Sequence, residues 1–135
     1  MKGKPWKLFL LLFFAAGLIY ALGPAAAQDD LIQKAENIIK NNCSTVGCHQ
    51  GKFPTANLNM EPGQFPVTVI DVPSKEKPDL KIIEKGIPEK SYLFLKIQGS
   101  PEIKGKRMPL HKNPLAAEDI QAIADWIKSL KQAAS

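Results

Sequence analysis

Both cysteines of the chain, Cys43 and Cys48, lie in one short segment, and His49 directly follows the second of them. Two thiols and an imidazole at this spacing are suited to four kinds of site: a disulfide, a zinc site, a redox dithiol, or the attachment of a haem whose iron binds the histidine. The choice between these sites depends on which further ligands the chain supplies and on which helices and loops position them.

Three of these sites leave part of the pattern unexplained. A disulfide between Cys43 and Cys48 suits an exported protein, but it closes a short loop, so the chain-entropy stabilisation is small and His49 has no role. A zinc site needs four ligands, and the two cysteines, His49 and His111 would have to supply them although the side chains of adjacent residues diverge. A redox dithiol is typical of C-x-x-C at the start of a helix in an alternating βα chain, and neither feature is present. These three sites remain as less favoured alternatives.

A covalently attached haem gives every polar residue of the pattern a role. The two thiols add across the vinyl groups of the porphyrin, and the histidine beside the second thiol binds the iron as proximal ligand. Four residues separate the cysteines instead of the usual two, but the Cys48–His49 junction is intact. Gly47 permits the wider segment to turn. We also expect a nearby backbone carbonyl to accept the ring N–H of His49.

A haem iron with one histidine needs a second axial ligand, and methionine in that position raises the reduction potential. Met108 precedes Pro109 in a loop just before the last amphipathic segment, and it is the favoured distal ligand. Met60 is the rival thioether, although a hydrophobic residue in the loop that lines the haem is the simpler interpretation. His111 would give bis-histidine ligation at a lower potential, and we expect it instead to be a surface residue.

These motifs resemble those of the class I monohaem cytochromes c, and in particular the cytochrome-c-like domains of exported bacterial proteins. The similarity is strongest at Cys48–His49, at residues 91–99 and at residues 108–127. The chain departs from the family pattern at its wide cysteine spacing and at Ala116, where a serine or threonine helix cap is common.

The resemblance implies an all-α, cytochrome c-like fold, in which the N- and C-terminal helices pack together and long loops surround the haem. It implies one haem c on Cys43 and Cys48, with His49 and Met108 as axial ligands of the iron. The implied function is electron transfer and not enzymatic catalysis, because both axial positions are filled.

Apolar residues at helical spacing predict the elements that position this site. A stripe from Leu31 to Ile39 predicts a helix over residues 29–42, which places the cysteines just past its end. Further helices are expected over residues 88–99 and over residues 116–132, and the apolar stripe around Trp126 is expected to pack against the first helix. The middle of the chain, residues 51–80, is rich in proline and without helical period, so we expect an extended loop there.

The first residues have the three-part pattern of a secretory signal peptide. Three lysines precede an apolar run of 16 residues (8–23), and the small residues Ala25 and Ala27 follow it. The run is shorter than the ~20 residues that span a bilayer. We therefore expect a signal peptide over residues 1–27 and a periplasmic or otherwise exported domain over residues 28–135. A retained leader would instead anchor the domain to the membrane.

The leader accounts for most of the net positive charge. Without its three lysines, fifteen basic and thirteen acidic residues remain, a formal net charge of +2. Neither a basic stripe nor an aromatic ladder is present, which argues against a nucleic-acid partner. We expect redox proteins as partners, with the lysines between residues 75 and 112 as candidates for docking them at the haem edge.

Two other functions remain open at this point. One is a haem-based sensor or small-ligand binder whose sixth iron position is free. The other is a haem-free exported domain closed by a Cys43–Cys48 disulfide.

Overall fold

The computed structural model describes residues 24–130 of the chain. This part is helical, in agreement with the predicted all-α class, and its strand-like pairing is limited to isolated bridges such as that between Ile70 and Ile83. The four α-helices are α1 (Pro24–Asn42), α2 (Phe65–Val69), α3 (Tyr92–Gln98) and α4 (Ala117–Ser129), with short 3-10 helices at Thr55–Asn57 and Pro88–Lys90.

Two predicted segments extend beyond the described residues. Most of the predicted leader, residues 1–23, lies outside them, and residues 24–27 form the start of α1. The end of the last predicted helix, residues 131–132, also lies outside. Between residues 24 and 130, no helix combines the length and the apolar character that crossing a bilayer requires.

The predicted packing of the first helix against the last is confirmed. α1 and α4 contact each other more extensively than any other pair of elements. The Trp126 ring of α4 also packs against Phe65 of α2, with ring centroids 5.0 Å apart. The buried residues that form this interface are Ala35, Ile38 and Ile39 on α1 and Ala122, Ile123, Trp126 and Ile127 on α4.

The charged residues at the ends of α4 suit the helix dipole. Glu118 and Asp119 lie in its first turn and Lys128 in its last, where each charge opposes the partial charge of the helix terminus. Ala116 occupies the N-cap position and supplies no side-chain hydrogen bond to it, as its departure from the family pattern implies.

The helix predicted over residues 88–99 is divided into two parts. Pro88–Lys90 forms a 3-10 turn, Ser91 is extended, and α3 begins only at Tyr92. The break follows from the Ser91 hydroxyl, which accepts the N–H of Glu84 at 2.9 Å and donates to the carbonyl of Ile87 at 2.9 Å. A serine that bonds to distant backbone groups competes with helical hydrogen bonding. α3 ends at Gly99, whose φ of +74° suits glycine.

The prediction of an extended loop across residues 51–80 is wrong at residues 65–69, where α2 forms. Pro66 lies in the first turn of α2, where a missing N–H breaks no hydrogen bond and the fixed φ suits a helix. The buried Phe65 and Val69 are four residues apart and therefore share one face of the helix. A helix of this length is too short to show a hydrophobic period, so the prolines suggested a loop.

The two valines of α2 test this correction, because they would share a face in a strand but not in a helix. Val67 is 77% exposed and Val69 is 0% exposed. We expect Val69→Ala to lower the free energy of unfolding by about 1.5–3 kcal/mol, and Val67→Ala to change it by less than about 0.5 kcal/mol. Chemical denaturation of both variants measures the difference. Similar losses for the two valines would contradict the helix.

Candidate functional site

The cysteine segment forms a closed turn at the end of α1. The N–H of Cys43 still donates to the carbonyl of Ile39 at 2.8 Å, so the segment starts from the last turn of the helix. The carbonyl of Cys43 then accepts the N–H of His49 at 3.2 Å, which brings the first cysteine back to the Cys48–His49 junction. Gly47 has a φ of +83°, as the turn requires. The four intervening residues thus form a turn that keeps both cysteines close to the histidine.

Thr55 holds this turn from outside, and sequence reasoning did not identify it. Its N–H donates to the carbonyl of Cys48 at 2.7 Å and its hydroxyl donates to the carbonyl of Gly47 at 3.2 Å. Its own carbonyl lies 3.1 Å from Nδ1 of His49. A carbonyl only accepts, so Nδ1 carries a proton, and the tautomer with Nδ1 protonated has its lone pair at Nε2. The structure thus supplies the carbonyl that we expected to orient His49.

One cleft brings together the predicted site residues. Its volume is about 460 Å³, and Cys43, Cys48, His49 and Met108 all border it. This volume lies within the ~300–1,000 Å³ of small-molecule and cofactor sites. The rival ligands Met60 and His111 also border the cleft, as do the apolar side chains of Leu58, Ile82, Leu93 and Ile97.

The two methionines reach this cleft from different segments. The N–H of Met60 donates to the carbonyl of His49 at 2.8 Å, so Met60 belongs to the same loop system as the proximal candidate. Met108 is partly buried and comes from a separate segment, where its N–H donates to the carbonyl of Lys96 at 3.0 Å. The two thioethers thus come from segments that are held by different contacts. His111 is exposed, in agreement with the surface position expected for it.

Lys112 connects the Met108 loop to the cysteine segment. Its Nζ donates to the carbonyls of Asn41 and Asn42 at 3.4 and 3.3 Å. These carbonyls end α1, where a cation interacts favourably with the helix dipole. The same charge lies close enough to Cys43 to affect its titration.

The two cysteines differ in exposure and acidity. Cys43 is 8% exposed, whereas Cys48 is only partly buried. Burial raises the pKa of the Cys43 thiol to about 11, although the positive charge of Lys112 offsets part of the rise. The thiolate is the reactive form of cysteine, so Cys43 is the less reactive thiol of the folded chain.

The geometry bears on two of the alternative sites. Both cysteines are free thiols in the structure. Within residues 24–130, no three side chains of His, Cys, Asp or Glu lie close enough together to hold a metal ion, so the Cys2His2 zinc set is not assembled.

A polar cluster also borders the cleft, and sequence reasoning missed the residues that form it. Tyr92 and Lys96 both donate to Oε2 of Glu76, and all three border the cleft. Lys96 interrupts the apolar run of α3, and a single charge in such a run was the available signal. In the structure every residue from Tyr92 to Ile97 is buried, Lys96 included.

The chain was also compared with known protein families, curated proteins and solved structures, and no significant match was found in any of the three. The resemblance to the class I cytochromes c therefore rests on the motif residues, and it stays a prediction.

The difference between the thiols is directly measurable in the haem-free protein. We expect iodoacetamide at about pH 8 to alkylate Cys43 at least about tenfold more slowly than Cys48, because burial lowers both access and the thiolate fraction. Peptide mass spectrometry over a time course gives the two rates. The rate at Cys43 should rise as the pH approaches the thiol pKa of about 11. In urea the two rates should converge, and equal rates in the folded chain would contradict the burial of Cys43.

Proposed function

We propose that this chain is an exported monohaem c-type cytochrome with a cytochrome c-like fold, which transfers electrons between redox proteins. The observation that carries the proposal is the convergence of two thiols, an oriented imidazole and a thioether on one cleft. Cys43 and Cys48 would hold the haem covalently, and His49 and Met108 would be its axial ligands.

The donor groups fit this cofactor. Two free thiols beside a histidine match the two vinyl groups and the iron of one haem. The hydrogen bond from Nδ1 of His49 to Thr55 leaves Nε2 available as a ligand. The apolar wall suits the apolar ring of a porphyrin. A low-dielectric environment would also favour the less charged, reduced iron. A haem held here would supply one-electron chemistry at its iron.

The protein contributes position and exclusion of water to this chemistry. The closed turn fixes both thiols relative to the imidazole, so that one rigid segment presents three of the four attachment points. The buried Met60 and the apolar side chains that border the cleft with it would exclude water from a bound haem. If His49 and Met108 held both axial positions, no iron position would be left for a substrate, which supports electron transfer over catalysis.

Localisation and partners follow from the same proposal. The leader pattern supports export to the periplasm, where haem c is attached to exported chains. Lys75 and Lys112 border the cleft and would present positive charge to an acidic redox partner. Membrane association would require that the leader remain attached.

Covalent haem is the first test of the proposal. We expect the protein, expressed with a haem-attachment system, to retain haem after denaturation, with the pyridine haemochrome α-band shifted to the blue of free haem b. Two thioether bonds saturate both vinyl groups, which causes this shift. The double variant Cys43→Ser/Cys48→Ser is the control, and it should lose all haem on denaturation. Loss of haem from the unmodified chain on denaturation would refute the proposal. A Cys43–Cys48 disulfide would then be the favoured interpretation.

The two methionines provide the second test. We expect Met108→Ala to abolish the weak methionine-to-iron band near the red edge of the ferric spectrum and to lower the reduction potential, because methionine ligation raises it. Met60→Ala is the matched control and should retain the band. The reverse result would assign Met60 as ligand. No band in the unmodified protein, with a high-spin ferric spectrum, would favour the sensor with an open sixth position.

A further inference from the structure

α3 contains a buried lysine whose charge is directed to the segment that precedes Met108. Lys96 is the one charged residue among the buried ones in the part of the chain that the structure describes, and its side chain is 10% exposed. Its Nζ donates to Oε2 of Glu76 at 2.8 Å and to the carbonyl of Lys104 at 2.9 Å. A buried ammonium without partners is strongly unfavourable, so these two contacts determine where the Lys104 backbone lies.

Tyr92 completes the contact one helical turn earlier on the same face of α3. Its hydroxyl donates to Oε2 of Glu76 at 2.7 Å and accepts the N–H of Lys104 at 3.0 Å. Tyr92 and Lys96 therefore bond to the N–H and the carbonyl of Lys104, respectively. The carboxylate of Glu76 accepts a hydrogen bond from both of these side chains. Burial raises the pKa of the Glu76 carboxyl, but the hydrogen bonds from Lys96 and Tyr92 outweigh it and leave that pKa below its usual value. The carboxyl is thus ionised at neutral pH, as the arrangement requires.

The other end of the same segment is attached to the end of α3. The N–H of Met108 donates to the carbonyl of Lys96 at 3.0 Å, and Nε of Arg107 donates to the carbonyl of Ile97 at 2.8 Å. A Cβ at Gly99 would lie 2.8 Å from Cδ of Arg107, so the arginine can pack against the helix end because residue 99 is glycine. Residues 104–108, named here the Met108 segment, are thus attached to α3 at both ends.

We propose that Tyr92, Lys96 and Glu76 are positioning residues that hold Met108 in the cleft as the distal ligand. This inference rests on the proposed function. The Met108 segment lies outside the helices, so its order depends on the contacts at its two ends, and these three side chains form the contact at Lys104. A ligand on a loose segment must lose conformational freedom whenever it binds, and fixing the segment beforehand removes that cost. The three positioning residues act through the Lys104 backbone and not by contact with the iron.

Competition with an added ligand tests the proposal. In the ferric holoprotein, imidazole binds iron by displacing the distal methionine, so its affinity reports how firmly Met108 is held. We expect Lys96→Met, which keeps an unbranched side chain and removes the ammonium, to increase the imidazole affinity at least about tenfold, the effect of losing one charge-assisted hydrogen bond. The methionine-to-iron band should weaken in parallel.

Lys81→Met is the matched control. Lys81 also contacts two carboxylates, Asp71 at 2.9 Å and Glu84 at 3.0 Å, but its side chain is 39% exposed and it does not border the cleft. Its substitution should leave the imidazole affinity unchanged. Tyr92→Phe removes one hydroxyl and keeps the ring, so it serves if Lys96→Met does not fold, and it should shift the affinity in the same direction.

A double-mutant cycle separates positioning from a general loss of stability. In the Met108→Ala background there is no methionine to displace, so adding Lys96→Met should not change the imidazole affinity. An equal increase in both backgrounds would overturn the proposal, because the lysine would then act on the cleft and not on Met108. No increase in the Met108 background, with the methionine-to-iron band intact, would also overturn it.

Amide exchange in the haem-free protein gives a reading that does not depend on the cofactor. Lys96→Met should speed exchange of the Lys104 and Met108 amides at least about tenfold relative to Lys81→Met. If the unmodified chain binds no haem covalently, the proposed function is wrong. If Lys96→Met also leaves the exchange of the Lys104 and Met108 amides unchanged, Lys96 does not hold the Met108 segment either. If haem is attached but neither affinity nor exchange responds, only the positioning proposal is wrong.

Discussion

The packing of α1 on α4 is the contact on which the rest of the structure depends. Ile39 is fully buried in this interface, and its carbonyl accepts the N–H groups of both Cys43 and Ser44 at 2.8 and 2.9 Å. The start of the cysteine turn is therefore attached to a residue that the hydrophobic core fixes. Because Trp126 of α4 also packs against Phe65, the same core positions α2 and the loops on either side of it. A substitution in this interface would therefore change the position of the two thiols, although it does not contact them.

Side-chain hydrogen bonds add to the few backbone contacts between the long connections. Within residues 24–130 these connections pair only through isolated bridges, and their other backbone N–H and carbonyl groups still need partners where they are buried. Thr55, Ser91 and Tyr92 each bond to backbone groups of a neighbouring segment. Each of these bonds depends on one residue, so single polar substitutions are expected to alter the loops around the cleft.

Sequence patterns predicted the features that depend on neighbouring residues in the chain. The 3.6-residue period was sufficient for α1 and α4, because each buries one stripe over several turns, and the turn at Gly47 followed from its spacing. α2 was missed because five residues are too few to repeat a 3.6-residue period, and the break at Ser91 depends on Glu84 and Ile87. The buried network of Lys96 and Tyr92 could not be derived from periodicity, because its partners, Glu76 and the Lys104 backbone, lie in loops outside the helix. For the same reason Thr55 was not recognised as the partner of His49.

A haem in this cleft would have three candidate distal ligands. Met60, Met108 and His111 all border it, so the side-chain chemistry alone does not decide. Of the two that follow α3, Met108 is the last residue of the segment attached to that helix and donates its own N–H to the carbonyl of Lys96, while four residues later Lys112 bonds to the end of α1. His111 lies between, exposed and with a φ of +59°, a conformation in which a non-glycine residue is strained. Attachment to both helices restricts Met108 more than it restricts the exposed imidazole. Selection of the ligand would thus follow from where the backbone is held, and a more basic donor in the same loop would not displace a thioether that is already in place.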